Sequence, residues 1–378
     1  MLIVGAGISG CAAAISASRC GAKTILIEKN SFPGGIAVDC QHRHICGLYP
    51  KNTGIAKEIL AGLKKLNPKN RFTHIGKLPV FSFKPENLEP VLRKLMNKEK
   101  NLKVFYNTTA KDVKKKDNTI ISVMTIKESL SLNLNLSFNF IPKTVIDASG
   151  QGIVIKLSKA KYQLTPLKYR QLAGFTFQVQ NLIKPSNLLA IKVPYYLSIA
   201  VKQKKLLGHF KFTNFALGQN KNSGIIKLNL PAKNIARGAQ EAKKTAYLIH
   251  SYLRKVLPEF RNSHIQHISS IHEREGLRLY GKDTLTKRQI LNPGKVPNAI
   301  AKGYWPIESW HQKLGQQIKY RESNQFYSIP LGCLKSRNIT NLFATGKCIS
   351  ATSEALASSR VMGTCIYLGE AAGRAASR

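Results

Sequence analysis

The chain has 378 residues, 43% hydrophobic and 21% charged, which excludes wholesale disorder, collagen-like and coiled-coil architectures and a small disulfide-stapled scaffold. Lys and Arg number 59 against 19 Asp and Glu, a formal net charge of +40 that holds anions near the surface and says nothing about fold. The charge is spread from Lys23 to Arg378, with one dense run at Lys114, Lys115 and Lys116, and no aromatic residues are interleaved with it as a stacking platform requires. This pattern weighs against nucleic acid as the main partner and fits anionic cofactors, acidic substrates or a lipid surface equally well.

Seven cysteines, an odd number in a large chain, argue for reduced thiols and a cytoplasmic setting, with membrane association left open. Residues 1–17 are apolar and contain Ile8-Ser9-Gly10-Cys11, the kind of small-residue run found at lipoprotein cleavage sites. No Lys or Arg precedes that run and the first basic residue is Arg19, so the segment is expected to belong to the fold and not to an export signal. No other uninterrupted apolar run approaches the roughly 18 residues of a spanning helix.

In chain order, Leu2-Ile3-Val4 reads as a strand, Gly5-Ala6-Gly7-Ile8-Ser9-Gly10 as a glycine turn, and residues 11–19 as a helix closed by Gly21. A second strand, Thr24-Ile25-Leu26-Ile27, ends at Glu28, completing a β-α-β dinucleotide-binding unit. Residues 85–97 read as a helix, and 103–106, 120–126, 132–140 and 144–146 as strands, the last ending in Asp147-Ala148-Ser149-Gly150. From about residue 156 the pattern changes to longer alternating stretches, 174–179 and 224–230, followed by a helix over 236–256. The final segment returns to the first style, with a strand at 341–344, Thr345-Gly346, and an Ala/Gly-rich helix to the C-terminus. The expectation is an α/β chain with a Rossmann-like, discontinuous nucleotide domain at 1–155 and 330–378 and a mixed α+β substrate or cap domain at 156–329.

In the glycine turn, Gly5 permits the tight turn, Gly7 lets the backbone approach a pyrophosphate at the helix N-terminus, and Gly10 lets helix and strand pack closely. Glu28 stands where a carboxylate accepts hydrogen bonds from both ribose hydroxyls and repels a 2′-phosphate. Lys29 follows it, and Gly34-Gly35 comes soon after, where paired glycines let amides approach a cofactor extending beyond the pyrophosphate.

The chain resembles the FAD-dependent oxidoreductase family of the glutathione-reductase-like flavoproteins. The matching stretches are Val4 to Gly10, Ile27-Glu28-Lys29 with Gly34-Gly35, Val145-Ile146-Asp147-Ala148-Ser149-Gly150-Gln151-Gly152, Arg274-Glu275 with Arg278, and the C-terminal Ala344-Thr345-Gly346-Lys347, Arg360-Val361-Met362 and Gly369-Glu370-Ala371-Ala372-Gly373. The resemblance implies bound FAD, with Gly5, Gly7, Gly10, Glu28, Lys29, Gly34, Gly35, Ala110, Ala148, Gly150, Gly346, Arg360, Val361, Met362 and Thr364 on the cofactor. Amides near Met362 to Thr364, at a helix N-terminus, would stabilise negative charge on a reduced flavin. The family often has proline where this chain has Gly363 and arginine where it has Lys347.

For catalysis, Cys40-Gln41-His42-Arg43-His44-Ile45-Cys46 follows the paired glycines closely, and His42 and His44 are candidate acid/base groups, flavin attachment points or structural residues. The C-x₅-C spacing is wider than that of a closed zinc site, so no metal is assigned. A redox disulfide between Cys40 and Cys46 is a further option. Arg274 is a candidate grip on an anionic substrate or a member of an internal ion-pair network, and Trp305, Glu308 and His311 are candidate pocket residues. The expected function is transfer of a hydride or electron pair between a small substrate and FAD, with a separate acceptor or donor such as oxygen, a quinone or a redox protein. A flavin monooxygenase or halogenase, and a flavoprotein acting mainly by binding RNA or a membrane surface, are the alternatives.

Overall fold

The computed structural model describes residues 1–48, 52–128, 135–218, 220–294, 296–321 and 325–378. At its centre is a five-stranded parallel sheet in the order Leu342–Ala344, Val145–Asp147, Leu2–Val4, Thr24–Ile27, Leu102–Phe105. Strands this short and apolar are stable only when covered on both faces, and their alternation divides the side chains between two cores. Ile3, Leu26, Ile146 and Phe343 face the helices Ile8–Arg19 and Met362–Ala376, while Leu2, Val4, Ile27, Val145 and Leu342 face an antiparallel meander. The meander consists of Thr108–Lys116, Thr119–Glu128 and Asn135–Phe140. The first three residues of the predicted strand 132–140 lie outside the described residues.

The two helices on the first face lie against one another through small residues. Cβ atoms at Gly369 and Gly373 would collide with the carbonyl oxygens of Ser9 and Ala13, at 2.1 and 2.3 Å, so glycine is what permits the contact. The first helix begins at Ile8, three residues earlier than its Ala-rich stretch predicts, because Gly10 lies inside it against the Gly5 carbonyl. The predicted single C-terminal helix is two, Ser353–Ser359 and Met362–Ala376, broken at Arg360-Val361.

The cap is a four-stranded antiparallel sheet, ordered Asn214–Leu217, Gly224–Leu230, Ala173–Gln180, His264–Ile268. Its strand alternation has a direct consequence for the site. Ala173, Phe175, Phe177 and Val179, with Ile226, Leu228 and Leu230, pack into a separate core under helices Leu189–Lys202 and Gly238–Val256. The intervening residues, Gly174, Thr176 and Gln178 with Lys227 and Asn229, therefore occupy the opposite face. Leu285, Ile290, Ala301, Ile307, Tyr327 and Ile329 belong to the core shared by the two helices on the first face of the parallel sheet and not to the cap core. Among the described residues no helix is long and apolar enough to cross a membrane.

Candidate active site

The first strand delivers the chain into the glycine turn with Gly5 at φ 101°, its N–H bonded to the Ile27 carbonyl at 2.8 Å. Gly7 is the N-cap of the first helix with no side-chain cap, and a Cβ there would meet nothing within 4 Å. The leading amides of the helix thus face open space, the arrangement that accepts a phosphate. Gly34 bridges to Gly7, its N–H bonding the Ala6 carbonyl at 2.7 Å, and both Gly34 and Gly35 hold positive φ. Glu28 is buried at the end of the second strand and accepts from the amides of Ala6 at 2.6 Å and Asn30 at 2.9 Å. Burial raises its pKa, against the opposing effect of those two amides. Lys29 is exposed beside it.

The other cofactor candidates separate into two groups. Ala110 is buried in the meander beneath Leu2 and Val4. Ala148 is buried after the third central strand, its N–H on the Val4 carbonyl at 2.9 Å, and Gly150 follows at φ 70°. Asp147 is a turn residue, its carboxylate accepting from the amides of Ser149 and Ile155 at 3.0 Å each. Gly346 holds φ 63° beside Ser9, whose hydroxyl shares a 2.7 Å hydrogen bond with Thr345. Val361 is the N-cap of the final helix, followed by half-buried Met362 and fully buried Thr364. At Gly363, a Cβ would stand 2.6–2.7 Å from the backbone of Cys46 and Gly47, so this chain uses the missing side chain to bring the Cys46 strand onto the helix N-terminus.

That close approach also places the loop after Gly35 between the nucleotide sheet and the cap. Buried Cys40 has its Sγ 3.4 Å from the Ser269 hydroxyl, and Thr176 donates to the Cys40 carbonyl. Cys40 and Cys46 are both free thiols. The two histidines of the loop part company. His44 has Nδ1 3.0 Å from the Ser82 hydroxyl on the neighbouring strand. His42 is pushed down to about 3, first by burial and then by Lys227, His272 and Arg274, so it is a neutral imidazole at pH 7.

Around His42 the cap face supplies positive charge. The Arg274 guanidinium donates to the Leu172 carbonyl and to Asn229 Oδ1 at 2.8 Å and stacks 4.2 Å over the Trp310 ring. Gly174 makes room for it, since a Cβ would lie 2.9 Å from Arg274 Nη2. Lys227, opposite Thr176 in the sheet register, lies 5.0 Å over the same ring. Burial and then Arg274 push Lys227 down to about 8. Arg360 donates from Nη2 to the Glu308 carbonyl at 2.9 Å and to Gln171, while its buried Nε has no partner among the described residues. Glu308 is the principal counter-charge, held by the indole N–H groups of Trp305 and Trp310 and by Gln316.

Behind His42 sits an ion pair, His272 Nε2 to Asp39 Oδ2 at 2.6 Å, with the Ser270 amide on the same oxygen at 3.0 Å. Burial works against both charges, but their mutual attraction outweighs it, raising the His272 pKa and lowering that of Asp39. Asp39, Cys40 and His272 hold their ligand-type atoms within 4.8 Å of one another. Lys227 and Arg274 would repel a divalent cation there, so the cluster is read as a hydrogen-bonded pair. His311 is exposed and caps its own turn by accepting from the Lys313 and Leu314 amides at 3.2 Å each.

Lys227, Asp39, Gln171 and Trp310 carry no motif in the sequence. The signal for Lys227 is a lysine at an alternating position of an otherwise apolar strand, and only the register of the cap sheet shows that it points at the loop.

A parallel sheet with a glycine-lined helix N-terminus, an acid at the second strand end and a cap across the cofactor loop defines a capped dinucleotide-binding α/β protein. Residues 1–378 match the family described as FAD dependent oxidoreductase, and the chain belongs to that family. It is an enzyme, and its cofactor is FAD. The residues present fit that group, because the open space at Gly7, the uncapped helix amides and the oriented Glu28 carboxylate offer what its adenosine diphosphate half requires. Among solved structures the chain is similar to a geranylgeranyl bacteriochlorophyll reductase-like protein from Thermoplasma acidophilum, with 13% identity over 100% of this chain and 76% of that one and a TM-score of 0.46. A flavoprotein/dehydrogenase from Cytophaga hutchinsonii gives 12% identity, 100% and 77% coverage and a TM-score of 0.49. A flavin-dependent brominase gives 13% identity, 71% coverage of this chain and a TM-score of 0.40, and this chain spans 66% of its length, just under two thirds. At these identities the likeness is one of fold. No curated protein matches the chain in sequence.

Proposed function

We propose that this enzyme is a flavoprotein of the glutathione-reductase-like type that oxidises or reduces a small anionic substrate held between the cofactor loop and the cap sheet. The observation that carries the reading is the convergence of Lys227 and Arg274 on the neutral His42, with Arg360 near enough to act on both cations and Glu308 as the principal counter-charge. When bound, FAD supplies two-electron redox chemistry. Gly5, Gly7, Gly10 and Glu28 would hold its adenosine diphosphate half, and Gly346 with the 360–364 turn its flavin end.

The protein's own groups have separable tasks. Arg274, immobilised by Leu172, Asn229 and Trp310, is a fixed charge that orients a carboxylate or phosphate. The unpartnered Arg360 Nε is available to the ligand, and the Lys227 ammonium over the Trp310 ring adds a second charge beside it. His42 accepts or returns a substrate proton. Its pKa is lowered in part by Lys227 and Arg274, so an anion that offsets their charge raises it and strengthens the base only when substrate is present. His44, bonded to Ser82, positions the loop. His272, its pKa raised by Asp39, adds to the positive field when protonated. A separate redox partner completes the cycle, and the seven free cysteines support a reducing compartment such as the cytoplasm.

The test is anaerobic titration of the purified holoprotein with a panel of small carboxylates, phosphates, amines and alcohols, alongside titration of the reduced protein with unsaturated acids. Bleaching or recovery of the flavin band by anionic members alone is the expected result. A response confined to amines or neutral alcohols would refute the anionic assignment.

A further inference from the structure

The outer surface of the cap has no role in the reading above. Helices Leu189–Lys202 and Gly238–Val256 both cover the same face of the cap sheet, so their far sides point away from it. On the first helix and the residue before it, Leu188, Ile191 and Tyr195 form a stripe opposite the buried Leu189, Val193 and Leu197. On the second, Tyr247 and Leu248 lie opposite the buried Ala246, Ile249 and Leu253. With Leu207 these side chains range in exposure from 50% at Leu248 to 68% at Ile191, so large apolar groups are exposed together on two neighbouring helices, the kind of feature that marks an interaction surface. Basic residues flank them, with Lys243, Lys244 and Lys255 exposed on the second helix and Lys202, Lys204 and Lys205 at the end of the first. The nearby acids Glu241 and Glu259 are each paired with a base, Arg237 at 3.7 Å and Lys192 at 2.7 Å. A cleft of about 700 Å³ opens beside Leu248 and brings Leu207, Phe210 and Leu230 together with Lys233, Arg237 and Lys244.

We infer that this face docks on an anionic lipid bilayer, with Leu188, Ile191, Tyr195, Leu207, Tyr247 and Leu248 entering the interface and the surrounding lysines contacting headgroup phosphates. The apolar residues decide the partner class. Nucleic acid would be served by the lysines alone and would leave the apolar stripe in water, whereas a bilayer uses both. A second copy of a chain carrying +40 would bring like charge against like charge on this face.

The FAD-loaded protein should co-sediment with vesicles of phosphatidylglycerol and phosphatidylcholine, bind vesicles of phosphatidylcholine alone far more weakly, and dissociate progressively with salt. Ile191→Asp with Tyr195→Ser should weaken binding roughly tenfold or more, and Lys243→Glu with Lys244→Glu should do the same, each with FAD content unchanged. Ile191→Trp provides an independent check. Its emission should shift to the blue on anionic vesicles, and its affinity should equal or exceed that of the parent. Vesicle binding indifferent to the apolar changes, absence of binding to anionic vesicles, or an Ile191→Trp emission unmoved by them would overturn the inference. So would concentration-dependent dimerisation, or RNA binding, that the same apolar changes abolish while vesicle binding persists. FAD content and flavin reduction report separately on the proposed reaction, so the two readings can fail independently.

Discussion

His42 and His272 act on one another electrostatically and shift in opposite directions, the first lowered by burial and then by the positive groups around it, the second raised because its bond to Asp39 outweighs burial. Replacing His42 by Asn should slow anaerobic flavin reduction by the identified substrate roughly 10²-fold or more at full FAD occupancy, measured by stopped-flow absorbance. Unchanged reduction would return the residue to a structural role. The same electrostatics predict that the acid limb of kcat lies at higher pH than that of kcat/KM, because bound anion relieves the depression of the His42 pKa. Coincident limbs would contradict substrate-linked activation of the base. The Asp39–His272 pair has its own signature in stability. The His272 pKa is raised in the fold, so its contribution is full below about 6.5 and fades as pH rises through the raised value. The Asp39 pKa is lowered, so its contribution is full above about 3.8 and fades as pH falls. Asp39→Asn should therefore cost more stability at pH 5–6 than at pH 9, measured by urea unfolding; an equal cost at both would show that the pair is not ionised. Spacing makes the fingerprint glycines and Glu28 legible, since their roles are local to one strand-turn-helix unit. Nothing local marks Asp39, and Lys227 is marked only by its place in a largely apolar strand; the surroundings of both are assembled by segments far apart in the chain.

Elements were legible where periodicity is strong and blurred where a tertiary contact sets the boundary. The first helix starts at Ile8 because Gly10 can lie against the Gly5 carbonyl, a contact that helix propensity does not register. The C-terminal pair of helices reads as one Ala/Gly-rich stretch, yet it breaks at Arg360-Val361, where the Arg360 side chain turns toward Gln171 and Glu308. The helix that follows depends on Gly363. Gly363→Ala would push a Cβ into the backbone of Cys46 and Gly47 and should destabilise the protein by about 1–3 kcal/mol, with weakened FAD retention, measured by thermal unfolding and by the flavin-to-protein absorbance ratio. An unaltered melting temperature would mean that the Cys46 strand can move aside freely. At the other end of the cofactor site, Glu28→Ala should weaken FAD binding by about 1–3 kcal/mol through loss of charge-assisted hydrogen bonds, measured by reconstitution of the apoprotein.

At the scale of the whole molecule, one face of the cap sheet makes a core with two helices and the other presents Thr176, Lys227 and Asn229 to the cofactor loop. A discontinuous nucleotide sheet was readable because the closing strand Leu342–Ala344 repeats the style of the first. The alignment of cap and loop was not, because it rests on contacts such as Thr176 to Cys40 and Ser270 to Asp39 that join segments more than a hundred residues apart. Those contacts bring positive charge to a neutral histidine, and the proposal of an anionic substrate stands on them. The most direct test compares anaerobic flavin reduction by an active carboxylate substrate with reduction by its amide, in the parent protein and in Lys227→Met. The acid should react at least roughly 10²-fold more efficiently than the amide in the parent, and Lys227→Met should remove much of that preference at unchanged FAD content. Equal efficiency of acid and amide in the parent, or a preference untouched by Lys227→Met, would contradict it.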